Sequence, residues 1–179
     1  IICFQEIHGQ ERDGQPRRLL ALRDLLAPTS YRTHQLISTE LADGSQVYDA
    51  RNLVTAIPAD WEVRQTQQIN GDLVPNPLFQ RMIAGDADPR ALSWERPLLW
   101  TKVRSPAGLV LDLVNVHYKS KIATRADELM QDRFTWRNAA GWAEGYFVSS
   151  MKRVGAALET RVLVDRIFDA DPAANILVL

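Results

Sequence analysis

Two strand ends hold most of the residues in this chain that could do chemistry. The first, "IICFQE", closes on Gln5 and Glu6. The second, "LVLDLVNVHYKSK" from Leu109 to Lys121, begins as an apolar run and closes on Asn115, His117 and Lys119. A carboxylate at the polar end of a buried strand can ligate a hard cation, accept a proton or pair with a neighbouring cation. An imidazole beside ammonium groups can bind an anion and move protons. Taken singly, each has an ordinary structural reading: an ion pair for Glu6, a satisfied strand-end residue for His117. His8 and His34 have no supporting neighbours and are read as structural. Three widely spaced histidines and the single cysteine, Cys3, fit no zinc pattern. Cys3 lies in an apolar run and reads as a buried, inert thiol.

The elements that must position these groups come from a chain of 179 residues, long enough for one domain with a core of its own. Hydrophobic residues make up 46% and charged residues 24%, a globular composition that excludes a disordered chain. The formal net charge of -1 gives no overall pull towards nucleic acid. Local charge is more pointed: "HYKSKIATR", from His117 to Arg125, is basic and contains no acid. No apolar run approaches the roughly 20 residues of a membrane helix. The chain opens inside a strand without a methionine and closes on the strand-like "NILVL" with no turn after it. The expectation is a single domain over 1–179, incomplete at both ends.

Apolar periodicity predicts a helix over "QPRRLLALRDLLAP", two strands in "YRTHQLIST" and "QVYDARNLVTAIP", and a further strand in "WEVRQTQQI". Asn70 to Arg96, rich in Pro, Gly and Asp, reads as a long functional loop with at most a short helix near "LFQRMIAG". "PLLWTKVR" and "GLVLDLVNVHYKS" flank the turn "SPAG" as a hairpin. Helices are expected in "TRADELMQDRFTWRNAA" and "SSMKRVGAALETRVLVDRIFDAD", and "NILVL" is the last strand. Paired strands with helices between them predict an α/β fold of two packed sheets covered by helices.

Taken in order, "IICFQE", "RNLVTAIP", "ERPLLWTKV", "LDLVNVHYKSK" and a helix leading to "NILVL" resemble the endonuclease/exonuclease/phosphatase superfamily over almost the whole chain. Its most specific elements here are the Q-E that ends an early strand and the N-x-H that ends a later one. The resemblance implies a four-layer α/β/β/α sandwich of the DNase-like type, truncated at both ends. It implies a metal-dependent hydrolase of phosphodiester bonds, nuclease-like or phospholipase-like, with Mg²⁺ or Mn²⁺ as cofactor. Glu6 would be the metal-binding glutamate, and His117 would contact the scissile phosphate with Asn115 close by. Arg96 and Lys119 would bind substrate, and Gln5 would support the strand end. Alternatives are a phosphomonoesterase of the same superfamily and a catalytically degenerate binding module. The substrate would be a phosphodiester, nucleic acid among the candidates, with no obligate protein partner and no membrane span.

The departures from the family pattern carry expectations of their own. The family's asparagine on the strand before the glutamate would lie upstream of residue 1. Its G-D-x-N motif and late aspartate-histidine pair would lie beyond Leu179. The 179-residue chain alone is therefore expected to be inactive. Asp49, in "YDARN", is an offset substitute for the acid that orients the histidine in nuclease-like members. The chemistry implied is coherent: phosphodiester hydrolysis needs an in-line water, charge neutralisation on the phosphoryl oxygens and help for the leaving oxygen. Mg²⁺ held by one or two carboxylates, an arginine and an imidazole supply these.

Overall fold

The structure, a computed structural model, describes residues 1–179. In chain order its elements are β1 (Ile2–Ile7), β2 (Gln10–Arg12), β3 (Gln15–Arg18), α1 (Leu20–Leu26), β4 (Gln35–Ser38), β5 (Asn52–Ile57), β6 (Glu62–Ile69), β7 (Leu78–Phe79), β8 (Arg90–Ala91), β9 (Leu98–Arg104), β10 (Val110–Asn115), α2 (Ala139–Ala170) and β11 (Ile176–Val178). This is a mixed α/β chain with several sheets and two α-helices. It forms two compact units. The first comprises Ile1–Ile69, Pro97–His117 and Arg166–Leu179; the second comprises Asn70–Arg96 and Tyr118–Asp165.

The first unit is built on two sheets. One has the order β1-β5-β4, all antiparallel; the other has the order β11-β10-β9-β6, antiparallel except for the parallel β10–β11 pair. Every residue of β5 is buried, so both of its faces must be covered. Alternation along the strands decides by what. Val54 packs with Leu22 and Leu26 of α1 and with Leu19 just before it, and Phe4, Ile7 and Leu36 join them. Ile57 packs with Val103 of β9 and Leu113 of β10, and Ile37 and Leu111 join them. Leu36 and Ile37, adjacent on β4, thus enter opposite clusters, as a period of two requires. Helix α1 covers the outer face of the first sheet, and the second sheet covers its inner face.

Two helix expectations give way to other structure. Gln15–Arg18 is a strand paired with Gln10–Arg12, and α1 begins only at Leu20. The cause is "DG" at Asp13–Gly14: Gly14 sits at φ 71, and a hairpin turn of this type outweighs weak helix periodicity. In "TRADELMQDRFTWRNAA" only Asp127–Leu129 makes a turn, of 3-10 type. Asp132 diverts the backbone there, its carboxylate accepting from Phe134 N–H at 2.7 Å and Thr135 N–H at 2.9 Å. Those bonds, the one from Phe134 foremost, hold the Asp132 carboxyl below the ordinary carboxylate range.

In the second unit α2 starts ten residues earlier than the periodicity suggests. Asn138 Oδ1 caps it by accepting from Gly141 N–H at 2.7 Å. Gly145 weakens the helical signal but is required by packing, because a Cβ there would lie 2.5 Å from the Thr124 carbonyl oxygen. Residues 70–96 contain no helix; β7 and β8 pair within them as a two-residue ladder. Two carboxylates of α2 fasten this segment. Glu159, fully buried, accepts from Gly71 N–H at 2.9 Å, Leu73 N–H at 3.0 Å and Val74 N–H at 3.4 Å. Glu144 accepts from Ile83 N–H at 2.8 Å and Ala84 N–H at 3.1 Å, with Arg81 Nε at 3.6 Å.

Candidate functional site

The first unit brings the ends of β1 and β10 together. Leu111, Leu113 and Asn115 alternate on the face of β10 that looks towards the first sheet. An apolar residue would continue the pattern at 115. Asn115 stands there instead, wholly buried, and its amide donates to the carbonyls of Phe4 and Val54, each at 3.2 Å. Those two residues are register partners in the first sheet, so one side chain staples β1 and β5 to β10. A second staple runs the other way: Gln5 Nε2 donates to the Val116 carbonyl at 2.6 Å. Two residues past Asn115 the same alternation reaches His117.

Glu6 arrives at this point through a break in β1. Phe4 and Ile7 both pack towards α1 although they are three residues apart, which regular alternation forbids. The register shifts between them, and Glu6 takes φ 57, in the left-handed region. The bulge absorbs the odd residue and re-aims Glu6. Its Oε1 lies 3.8 Å from His117 Nε2. That separation is too long for a hydrogen bond and within the range of an ion pair when the imidazole is protonated. Glu6 is the more open of the two, its side chain 56% exposed against 24% for His117.

Of the residues singled out in the sequence, Glu6 and His117 therefore meet across the fold. Asn115 lies beneath them and is placed to position, not to react: its amide hydrogens are spent on backbone carbonyls and it has no exposed surface. Arg96 and Lys119 belong to the second unit. There Lys119 Nζ is 3.4 Å from Glu95 Oε2, and its carbonyl accepts from the Arg153 guanidinium at 3.3 Å. Asp49 is exposed, and its carbonyl accepts from Gly9 N–H at 3.0 Å. Cys3 is half-buried; burial pushes its thiol up, and a contact with Thr55 Oγ1 at 3.8 Å and the N-terminal charge partly counter this.

One supporting residue escaped the sequence reading. Asn52, fully buried, donates to the Ile7 and Tyr48 carbonyls at 2.9 Å each. It accepts from Tyr48 N–H at 2.9 Å and Thr39 Oγ1 at 3.3 Å. It ties the 48–52 turn to the residue that follows Glu6. The signal was an asparagine heading the mainly apolar "NLVTAI". Gly9 belongs to the same junction, since a Cβ there would come 2.5 Å from the Tyr48 carbonyl oxygen.

As a metal site this end of the unit offers one exposed carboxylate. No cluster of three or more His, Cys, Asp or Glu groups suited to a metal is formed. One ionic oxygen fits an ion such as Mg²⁺ or Mn²⁺ that keeps several waters, and does not fit a zinc site closed by protein ligands. Compared with protein-family models, with curated proteins and with solved structures, the chain finds no match in any of the three.

Proposed function

We propose that the chain carries a metal-dependent phosphodiesterase site, nuclease-like, within a four-layer α/β/β/α architecture of the endonuclease/exonuclease/phosphatase type. The observation that supports this reading is the meeting of Glu6 and His117, 111 positions apart in the chain, at 3.8 Å. The two-sheet core of the first unit and the stapling of β10 to β1 are the scaffold such a site needs. Glu6 would hold Mg²⁺ or Mn²⁺, which when bound polarises a phosphoryl oxygen and stabilises charge on the leaving oxygen. His117 Nε2 would contact a phosphoryl oxygen beside it. Asn115 and Gln5 are positioning residues that fix the two strand ends. Arg96 and Lys119 enter as phosphate contacts on the strength of the resemblance alone.

The test is Mn²⁺ binding to the 179-residue chain, followed by paramagnetic broadening of the His117 ring resonances. Broadening is expected at His117 and not at His34. Glu6→Gln, which removes the ionic oxygen and keeps the shape, should weaken the effect by about tenfold or more. An unchanged titration in that variant overturns the assignment.

A further inference from the structure

At the other end of the first sheet lies a cleft that the proposed phosphodiesterase site does not use. Its volume is ≈ 360 Å³, and it forms where the C-terminus of α1 and the following turn meet the start of β4. Two guanidiniums, Arg23 and Arg32, line it together with the rings of Tyr31 and His34 and the apolar side chains of Leu26 and Leu36. The strand register separates it from Glu6. Gln35 pairs with Ile57, whereas Ile7 pairs with Asn52. Asn52 and Ile57 are five steps apart along β5, about 17 Å at the rise of a strand.

Three observations give the cleft a chemistry. First, neither Arg23 nor Arg32 is held by a carboxylate, whereas Arg17 pairs with Glu11 and Arg64 with Glu62 in the same unit. Second, His34 Nδ1 is buried and has no hydrogen-bond partner. The ring itself is held in place, edge-on to Tyr31 with centroids 5.1 Å apart, and its backbone N–H donates to the Tyr31 carbonyl at 3.0 Å. A buried imidazole nitrogen left without a partner costs free energy unless something supplies one. Third, the feature that would repel an anion is muted. Two of the carbonyls at the end of α1 are engaged: Leu26 O accepts from Thr29 N–H at 2.9 Å and Thr29 Oγ1 at 2.7 Å, and Arg23 O accepts from Ala27 N–H at 2.9 Å. Arg23 also sits in the last turn of α1, where a cation is favourable in any case. That accounts for Arg23 alone and leaves Arg32 and the His34 nitrogen unexplained.

We infer that this cleft binds a small phosphate monoester with a planar or apolar body. The phosphate would be gripped by the two guanidiniums, and the body would lie against Tyr31, the His34 ring, Leu26 and Leu36. Paired guanidiniums suit a phosphate because each offers a fork of donors in one plane. The volume suits a ligand of mononucleotide size.

Calorimetric titration of the 179-residue chain in metal-free buffer tests this with four probes: inorganic phosphate, adenosine, AMP and a dinucleoside monophosphate. AMP should bind most tightly, phosphate more weakly and adenosine weakest. Adenosine binding as well as AMP would refute the anion grip, and phosphate binding as well as AMP would refute the role of the apolar wall. The dinucleotide brings a single charge on an internal diester, where a monoester carries close to two. If it binds more tightly than AMP, the cleft serves a nucleic-acid strand and the class named here is wrong. Arg23→Gln and Arg32→Gln should each weaken AMP by about tenfold and leave the circular dichroism spectrum unchanged. His117→Ala should leave AMP binding as it is. Loss of binding in His117→Ala but not in the arginine variants would place the ligand at the other end of the sheet and overturn the inference.

Discussion

Asn115→Ala should loosen the junction between the two sheets of the first unit and lower the stability of the chain by about 2 kcal/mol. The side chain is fully buried and donates to the carbonyls of Phe4 and Val54 at 3.2 Å. Two neutral hydrogen bonds contribute about 1 kcal/mol each, net of water. Truncation also leaves a small cavity, worth roughly 1 kcal/mol. Against this, Asn115 Oδ1 is itself buried without a partner, and removing it returns roughly 1 kcal/mol. The sum is close to 2 kcal/mol, about a 30-fold change in the folding equilibrium. Urea denaturation followed by tryptophan fluorescence should show the midpoint falling by about 1 M with an unchanged slope. Asn115→Leu separates the causes. It refills the volume and restores no donor, so it should recover only part of the loss. An alanine variant within about 0.5 kcal/mol of the parent, or a leucine variant more stable than the parent, would refute the staple as described.

Three further perturbations follow from particular contacts. Glu159→Gln keeps an oxygen for the donors Gly71, Leu73 and Val74 but removes its charge, and puts an amide N–H₂ against Gly71 N–H where the second carboxylate oxygen accepts at 3.0 Å; a hydrogen bond to a charged group is worth about 1.5–3 kcal/mol against about 1 for a neutral one. Amide exchange at those three residues should therefore quicken by about tenfold or more while β9 and β10 remain protected, and uniform protection would refute the clamp. Gly155→Ala places a Cβ 2.2 Å from the Trp94 ring, and overpacking of about 1–3 kcal/mol should exceed the roughly 1 kcal/mol gained in helix propensity; a more stable variant would show that the ring moves freely. Because burial holds the Cys3 thiol above its ordinary value, the folded chain keeps it neutral at a pH where the unfolded chain ionises it. Stability should fall as pH rises through that window, and iodoacetamide should label the native chain more slowly than the urea-unfolded one.

Strands with strong alternation or continuous apolar character were legible in the sequence. "NLVTAI", "EVRQTQQI" and the hairpin around "SPAG" all form where the pattern places them. So was the pairing of interest, since Glu6 and His117 stand at strand ends that the fold does bring together. What failed did so for identifiable reasons. The helix expected from Gln15 yielded to the hairpin turn at Asp13–Gly14, a local signal stronger than leucine spacing. The early part of α2 was hidden because its glycines exist for contact, Gly141 against Leu129 and Gly145 against Thr124. Asn115 reads in sequence as one of a polar group at a strand end; only burial shows that it braces the site. The bulge at Glu6 could not have been foreseen, because nothing in "FQEI" marks a left-handed residue.

That bulge sets two kinds of selection against each other at position 6. A glutamate held at φ 57 costs roughly 1–2 kcal/mol relative to a residue at ease there. Asparagine tolerates this backbone well, and glycine does too, with some of its gain lost to the greater freedom of its unfolded chain. A library of position-6 variants sorted by resistance to heat should thus fill with asparagine and glycine. The same library sorted by retention of a divalent cation should keep glutamate and aspartate. The glutamate is a residue that thermal selection alone would not keep.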